Sequence, residues 1–266
     1  MAYVKCLSGI NGSEIPEGST ATPTDVVETL LNCAGIFDKE YTTIAQLLAD
    51  TTSLNTVITS NNAIDYLVRS TTWASDMCAD STAMSYIGLN NYASNTLLGD
   101  STWCSAICNS TYFESVLNVK VPTLSQNTNE IISNGEYGDD WGPEYSHPQY
   151  RAFDNDDSTD WLSRRGIGDR YIGYDFNDSV QLGKVTVNAY LANNDLLIKG
   201  SNDGTNWTTI KTISKTDVPN YTTVSFDIFS LTKYSKYIAE SYVPYSSGSN
   251  YAWYGYTIQF YGRADV

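Results

Sequence analysis

Three carboxylates and one threonine stand within six residues in the second half of the chain: Asp154, Asp156, Asp157 and Thr159. Carboxylates this close repel one another unless they are solvated or gather a cation. Because all the side-chain ligands on offer are oxygens, the spacing favours Ca²⁺ over a transition metal. The alternative is a solvated turn in which Asp154 accepts hydrogen bonds from backbone N–H groups.

Two segments combine aromatic rings with hydrogen-bonding groups, as a sugar site requires: residues 137–150 and 246–254. Arginines between them could bind sugar hydroxyls or an acidic sugar. The predicted binding residues are Trp141, Tyr145, His147, Arg164, Arg165, Asn250, Tyr251 and Trp253, with Arg170 and Tyr254 beside them. For each aromatic residue the alternative is packing or a protein contact. His147 precedes Pro148, which fits a structural loop residue better than a general base.

The sequence does not indicate an enzyme. The chain has one histidine and no nucleophile motif near it, so a Ser-His-Asp or Cys-His site is not expected. Gly166 and Gly168 form only a fragment of a phosphate-binding loop. A glycosidase pair could be hidden among the 30 acidic residues. We therefore predict a binding protein with no catalytic residues.

The elements that must position these residues are short strands. After Val121 and Pro122, apolar and polar residues alternate in runs separated by turn residues, as in YIGYDF at 171–176 and KVTVNAYL at 184–191. Asp203 and Gly204 form a hairpin-type turn between two such runs. Many short strands with regular turn signals predict an antiparallel β-sandwich.

The motifs of this half occur in a characteristic order: RAFDNDDSTDWLS, YIGYDFNDSVQLGKVTV, IKGSNDGTNWTTI and TIQFYG. In order and spacing they resemble the discoidin family (coagulation factor V/VIII type C), which includes the family 32 carbohydrate-binding modules. The resemblance covers about residues 122–263. It implies an eight-stranded jelly-roll sandwich of the galactose-binding-domain type, with binding loops at one end. Family members commonly bind galactose-type sugars, other glycans or lipid head groups, and Trp161 and Trp207 would belong to the core.

The same resemblance implies a structural calcium in the carboxylate-rich loop. Its ligands would be the backbone carbonyl of Arg151, the side chains of Asp154 and Asp156, and Thr159. One position departs from the family pattern, because Thr257 stands where the family usually has a glutamate. The loss of that carboxylate counts against the ion.

A ten-residue repeat dominates the first half. Helix-capping residues recur at Asp50, Ser60, Ser70, Asp80, Asn90, Asp100 and Ser110, and the residue three places earlier is apolar each time. Counted from the cap, apolar side chains occupy positions three, four, seven and eight, which share one helix face. In a single long helix, each ten-residue repeat would turn the apolar face by about 80° relative to the one before. We therefore predict separate capped helices of about eight residues that stack on one another. Cys78, Cys104 and Cys108 occupy core positions and should act as small apolar side chains.

This array resembles the short Ser/Thr-Ala-Met-type repeats of bacteriophage virion proteins, most clearly in DSTAMSYIGLN at 80–90. The resemblance covers roughly residues 40–118. The alternative is a generic helical spacer.

Charge and composition restrict the partners. The net charge of −15 argues against nucleic acid and anionic membranes. The N-terminus shows no basic segment followed by an apolar run, so we expect no secretory signal peptide, and no stretch has the length of a membrane span.

These observations predict three regions: an extended docking arm at 1–23, a short-helix repeat domain at 24–120 and a discoidin-like sandwich at 121–266. We hypothesise a virion accessory protein of the head or tail fibre type, made in the bacterial host cytoplasm. Its N-terminal region would bind other virion proteins, and several copies would present the sandwich to host-surface glycans. The alternatives are a purely structural virion decoration, or a non-catalytic module of a bacterial surface protein.

Overall fold

The computed structural model describes residues 23–136, 147–163, 168–191, 194–243 and 253–264. Almost all of the predicted docking arm, 1–22, therefore lies outside the described residues. The chain divides into two compact units, residues 1–116 and 117–266, whereas the sequence placed the boundary between 120 and 121. None of the described helices is both long and apolar enough to cross a membrane.

Short helices follow one another through the described part of the first unit. They are α1 (Pro23–Cys33), α2 (Ile44–Ala49), α3 (Thr51–Thr59), α4 (Asn61–Leu67), α5 (Ala74–Ala79), α6 (Ser81–Leu89), α7 (Asn91–Leu98) and α8 (Ser101–Asn109). Two 3₁₀ turns, Thr71–Trp73 and Phe113–Ser115, complete the series. The predicted array of short helices is confirmed.

The predicted caps begin most of these helices. Asp50, Asp80 and Asp100 each accept hydrogen bonds from two backbone N–H groups of the helix that follows. Ser60 and Asn90 each accept one. Ser70 departs from the pattern, because a 3₁₀ turn follows it and its side chain makes no capping bond.

The apolar positions of the repeat form the core of the first unit. In α8, Trp103, Cys104, Ile107 and Cys108 are buried at positions three, four, seven and eight. Cys78 occupies the same kind of site in α5, and burial raises the pKa of its thiol to about 12. The three cysteines predicted to be core residues are therefore buried.

Gly88 occupies position eight of its repeat, where the other repeats predict an apolar side chain, and the reason is steric. A Cβ at this position would lie 1.8 Å from the backbone oxygen of Ser115, so only glycine lets the last 3₁₀ turn approach α6.

The helices coil instead of lying in a row. Packing recurs between a helix and the third one along: α1 with α4, α2 with α5, α3 with α6, α4 with α7 and α5 with α8. Most of the helices also pack against the next one in sequence, as α2 does with α3 and α6 with α7. About 30 residues therefore make one turn, as in a solenoid. Cap side chains join successive turns, since the Ser60 hydroxyl and the Asn90 amide donate to the carbonyl oxygens of Cys33 and Ile58, each at 3.2 Å. The Ser110 hydroxyl donates likewise to the Cys78 carbonyl.

The described part of the second unit consists mainly of strands, and every strand pair is antiparallel. It also contains two 3₁₀ turns, Gln149–Phe153 and Lys215–Asp217. They are β1 (Val119–Lys120), β2 (Ile131–Ser133), β3 (Trp161–Leu162), β4 (Gly168–Tyr190), β5 (Leu196–Ser201), β6 (Thr208–Ile213), β7 (Val224–Asp227), β8 (Tyr234–Val243) and β9 (Tyr254–Ala264). The resemblance implied eight strands; nine are found among the described residues, and two of them, β1 and β3, are only two residues long and pair with β9.

One long strand, β4, belongs to both sheets of the sandwich. Its first part pairs with β2 and β8, and β5 and β6 extend that first sheet. Its second part pairs with β7 and β9 in the second sheet. The pairing shifts between Asp175 and Val180, where Asn177 has a left-handed φ of 57°. Between the sheets lies an apolar core that includes Ile172, Ile198, Val187 and Phe260.

The predicted hairpin and the two predicted core tryptophans have separate outcomes. Gly204 has φ of 76° in the turn that joins the paired strands β5 and β6, which confirms the hairpin. Trp161 is fully buried in the core. Trp207 is only half-buried and lies outside the core cluster, so the prediction that it is a core residue is wrong. It precedes β6, an edge strand that pairs only with β5.

The dual role of Ser60 generates a stability prediction. Ser60→Ala removes a cap and an inter-turn hydrogen bond, and should lower the free energy of unfolding of the first unit by about 1–2 kcal/mol. Ser70→Ala is the matched control and should change it by less than about 0.5 kcal/mol, because the Ser70 side chain makes no capping bond. Denaturant titration followed by circular dichroism measures both. Equal losses in the two variants would contradict the capping account.

Candidate functional site

Four tyrosines form a cluster at the end of the second sheet; we call Tyr190, Tyr221, Tyr254 and Tyr256 the tyrosine cluster. Tyr190 stacks on Tyr221 with ring centroids 5.7 Å apart and meets Tyr254 edge-on at the same distance. Tyr254 lies parallel to Tyr256 at 6.4 Å, and Tyr256 meets Tyr221 edge-on at 5.5 Å. Each ring thus contacts two others, which fixes the orientation of all four.

Strand geometry explains why three of these rings share one face. Val187 and Ala189 point into the core, so the alternation of β4 sends Tyr190 to the outer face. Tyr190 pairs in register with Tyr254 on β9. A β-bulge follows, because Asn188 pairs with Thr257 while Ala189 pairs with Gly255, leaving Tyr256 as the extra residue. The bulge keeps Tyr254 and Tyr256 on the outer face, although the alternation of Ile258 and Phe260, which point into the core, would otherwise turn them inward.

Tyr221 reaches the cluster from a strained turn. Its φ is 59°, a left-handed value that a bulky residue adopts rarely. The side chain of Lys215 holds the turn by donating to the carbonyl of Val218 at 3.0 Å and to the amide oxygen of Asn220 at 2.8 Å. Although its ring contacts two tyrosines, Tyr221 remains 62% exposed. Strain that presents an exposed aromatic ring is typical of a binding site.

Charged groups border the cluster on one side. The His147 ring nitrogen Nδ1 lies 2.8 Å from the Asp160 carboxylate, and both side chains are largely buried. Burial, followed by the nearby charge of Asp160, raises the pKa of Tyr256 to about 12. The Tyr256 phenol therefore keeps its proton at all physiological pH values and stays a hydrogen-bond donor.

The carboxylate-rich loop is held together by its own hydrogen bonds. Asp154 accepts from the Thr159 hydroxyl at 2.6 Å and from the Asp156 N–H at 3.0 Å. Asp156 accepts from both the hydroxyl and the N–H of Ser158, and these bonds lower its pKa. Asp157 accepts from the hydroxyls of Thr257, at 2.6 Å, and Thr223, at 3.0 Å. The loop is thereby tied to strand β9.

The predicted calcium ligands fit an ion only in part. Asp154 and Thr159 meet in one place, but the Asp156 carboxylate is turned toward Ser158, and Arg151 lies in the preceding 3₁₀ turn. Within the described ranges, no group of three or more acidic, histidine or cysteine side chains is arranged to hold a metal. Calcium at this loop stays a prediction.

The structure describes only two of the eight predicted sugar-binding residues, His147 and Trp253. Six of them, Trp141, Tyr145, Arg164, Arg165, Asn250 and Tyr251, lie outside the described residues. His147 pairs with Asp160, whose charge acts on Tyr256 of the tyrosine cluster. Arg170 is the third residue of β4, and its carbonyl oxygen accepts a hydrogen bond from the Trp253 indole at 3.0 Å.

For Trp253 the prediction needs correcting. Its side chain is 0% exposed and meets the Trp161 ring edge-on at 4.9 Å. A ring with no exposed surface cannot stack on a sugar, so Trp253 is a core residue. The residue that follows it, Tyr254, supplies the outward ring instead.

Tyr190, Tyr221 and Tyr256 were missed. Alternation in KVTVNAYL does place Tyr190 opposite the core positions, so that signal was present. The bulge at Tyr256 and the left-handed turn at Tyr221 leave no sequence pattern of their own.

Comparisons with known proteins give structural similarities only. No protein-family model matches the sequence, and no curated protein matches it either. The fold is similar to chitosan-binding module 1 of a chitosanase/glucanase from Paenibacillus sp. IK-5, with 23% identity over 53% of this chain and 97% of that one (TM-score 0.40). It is also similar to the CBM32-3 module of a family 31 glycoside hydrolase from Clostridium perfringens, with 16% identity over 50% and 90% of the chains (TM-score 0.38). A third similar structure is CBM62 of Clostridium thermocellum Xyl5A, with 19% identity over 52% and 97% (TM-score 0.39). At these values the similarity assigns no function.

Two raised tyrosine pKa values generate a pH prediction. Burial raises the pKa of Tyr237, like that of Tyr256, to about 12 from an ordinary value of 10.0. The folded state then keeps protons that the unfolded state loses, so the stability of the second unit is complete below pH ~10 and falls as the pH rises toward ~12. Tyr256→Phe should make this fall shallower while leaving stability at neutral pH within about 1 kcal/mol of the parent. Denaturant titrations at neutral and alkaline pH measure the difference, and an unchanged alkaline slope would contradict it.

Proposed function

We propose that the second unit binds glycans through the tyrosine cluster. The observation that carries the proposal is Tyr221, whose ring is held 62% exposed at a left-handed φ of 59° by stacking on Tyr190. A strained, exposed and oriented ring offers a flat apolar surface to the C–H face of a sugar. The backbone strain would have no purpose if the ring served packing alone.

Polar groups beside the rings would supply orientation. The Asp160 carboxylate can accept hydrogen bonds from sugar hydroxyls, and the His147 ring next to it restricts its position. The Tyr256 phenol, which keeps its proton, can donate. A plate of rings with a few fixed polar groups is the usual composition of a small-ligand site.

Sequence supports the same assignment independently. The ordered motifs of residues 151–262 resemble those of discoidin-type modules, which commonly bind glycans. The predicted residues Trp141, Tyr145, Asn250 and Tyr251 lie in segments that adjoin His147 and Tyr254 along the chain. We infer that they extend the site, with Arg164 and Arg165, and that the unit binds without catalysing a reaction.

For the whole protein we propose a virion accessory role. Binding of one sugar at millimolar strength contributes only about −4 kcal/mol, so several copies on one particle would be needed for firm attachment. The resemblance of the helical repeats to bacteriophage virion proteins supports the proposal that the first unit attaches the protein to the particle. Antibody detection of the chain in purified particles would support this role, and its absence from them would contradict it.

Tyr221→Asn tests the binding site. Asparagine tolerates a left-handed φ, so the free energy of unfolding should stay within about 1 kcal/mol while the stacking surface is lost. We expect glycan affinity to fall at least about tenfold, because aromatic stacking and the exclusion of water are removed together. A glycan array of the full chain identifies the ligand, and titration calorimetry measures the loss.

Tyr112→Asn is the matched control, since Tyr112 is an exposed tyrosine of the first unit. It should leave glycan binding unchanged. Absence of any bound glycan on the array, or equal affinity for Tyr221→Asn and the parent, would overturn the proposed function.

A further inference from the structure

A second concave site adjoins the tyrosine cluster on the outer face of the second sheet. This pocket has a volume of about 330 Å³, which is at the small end of ligand sites and leaves room for one sugar ring. Its lining residues are Asn155, Asp156, Asp157, Thr186, Thr223, Thr257, Gln259 and Tyr261. We call it the threonine pocket.

The lining has the chemistry of a site for a polyhydroxy ligand. The Thr223 and Thr257 hydroxyls donate their protons to Asp157 and can still accept hydrogen bonds from a ligand. The Gln259 amide donates one N–H to the Val121 carbonyl oxygen and has a second N–H to donate, and Tyr261 adds an aromatic ring. Asp157 is held in place by two threonine hydroxyls and still has lone pairs for further donors. The geometry of the acceptor is therefore fixed before a ligand arrives.

Charge narrows the class of ligand. Asp156 and Asp157 both line the pocket, and none of its lining residues among those described is a lysine or arginine. A sugar acid placed here would meet like charge from the two carboxylates that line the pocket.

The pocket and the tyrosine cluster are built from the same segments of chain. Tyr221 and Tyr256 belong to the cluster, and Thr223 and Thr257, one or two residues further along the chain, line the pocket. In a third segment, the charge of Asp160 acts on Tyr256 and Asp157 lines the pocket. Two residues of extended chain span about 7 Å, so the two sites are adjacent.

We propose that the threonine pocket binds a second, uncharged sugar residue of the glycan whose first residue stacks on the tyrosine cluster. This inference rests on the proposed function and narrows its ligand to neutral oligosaccharides of two or more residues. The pocket thus determines specificity: it favours oligosaccharides over single sugars and disfavours uronic acids.

The experiment compares probes of increasing length on the full chain. The probes are the methyl glycosides of glucose, galactose and N-acetylglucosamine, their β-1,4-linked di- and trisaccharides, and the uronic acid form of the best binder. Neutral disaccharides should bind about tenfold more tightly than the monosaccharide, which corresponds to one or two added hydrogen bonds. The acidic form should lose this gain.

Thr186→Tyr fills the pocket from a half-buried strand position away from the tyrosine cluster. It should abolish the gain for disaccharides and leave monosaccharide affinity unchanged. Thr212→Tyr, on an exposed position of β6 in the other sheet, is the matched control and should keep the gain. Circular dichroism of both variants checks that the sandwich is folded.

The outcomes separate the two proposals. Monosaccharide binding that depends on Tyr221, with no gain for longer probes or a gain that survives Thr186→Tyr, overturns the threonine pocket and leaves the proposed function standing. Equal binding of neutral and acidic disaccharides overturns the pocket as a selector. No binding of any probe by the parent chain overturns both.

Discussion

A hydrogen bond from the buried Tyr237 hydroxyl to the Val180 carbonyl oxygen holds the point at which strand β4 passes from one sheet to the other. The first part of β4 carries the pairing with β8, and the second part carries the pairing with β7 and β9. Because one covalent strand is shared, the two sheets cannot shift independently. The rings of Tyr190 and Tyr254 meet edge-on only while this register of β4 and β9 is kept.

The first unit obeys a constraint of a different kind, which is local and repeated. Caps and apolar positions could be predicted because each acts within a single helix of six to eleven residues. The coil could not, because it depends on contacts between caps and carbonyls separated by 27 or 32 residues. Gly88 shows the limit in detail: its column position predicts an apolar side chain, and the distant Ser115 backbone excludes one.

The candidate site divides along the same line. His147 was predicted from its sequence neighbourhood; its ring pairs with Asp160, whose charge acts on Tyr256 of the cluster, and its role in binding stays a prediction. Trp253 was predicted because its segment combines aromatic rings with hydrogen-bonding groups, but its ring lies in the core against Trp161, next to the pairing of β3 with β9. Tyr221 comes to Tyr190 from 31 places along the chain, through a turn whose backbone angle has no signature in VPNYTT. Patterns within an element predict its exposed face, whereas the meeting of elements depends on tertiary structure.

The helical coil has a consequence for how such a protein can change in length. Most of the described helices pack against their successor, and the packing of a helix against the third one along recurs from α1 to α8. Insertion or deletion of a ten-residue segment therefore creates or removes complete copies of both interfaces and demands no new kind of surface. The length of the unit can therefore vary by one helix at a time, and each added or removed helix changes the free energy of unfolding by a nearly constant amount.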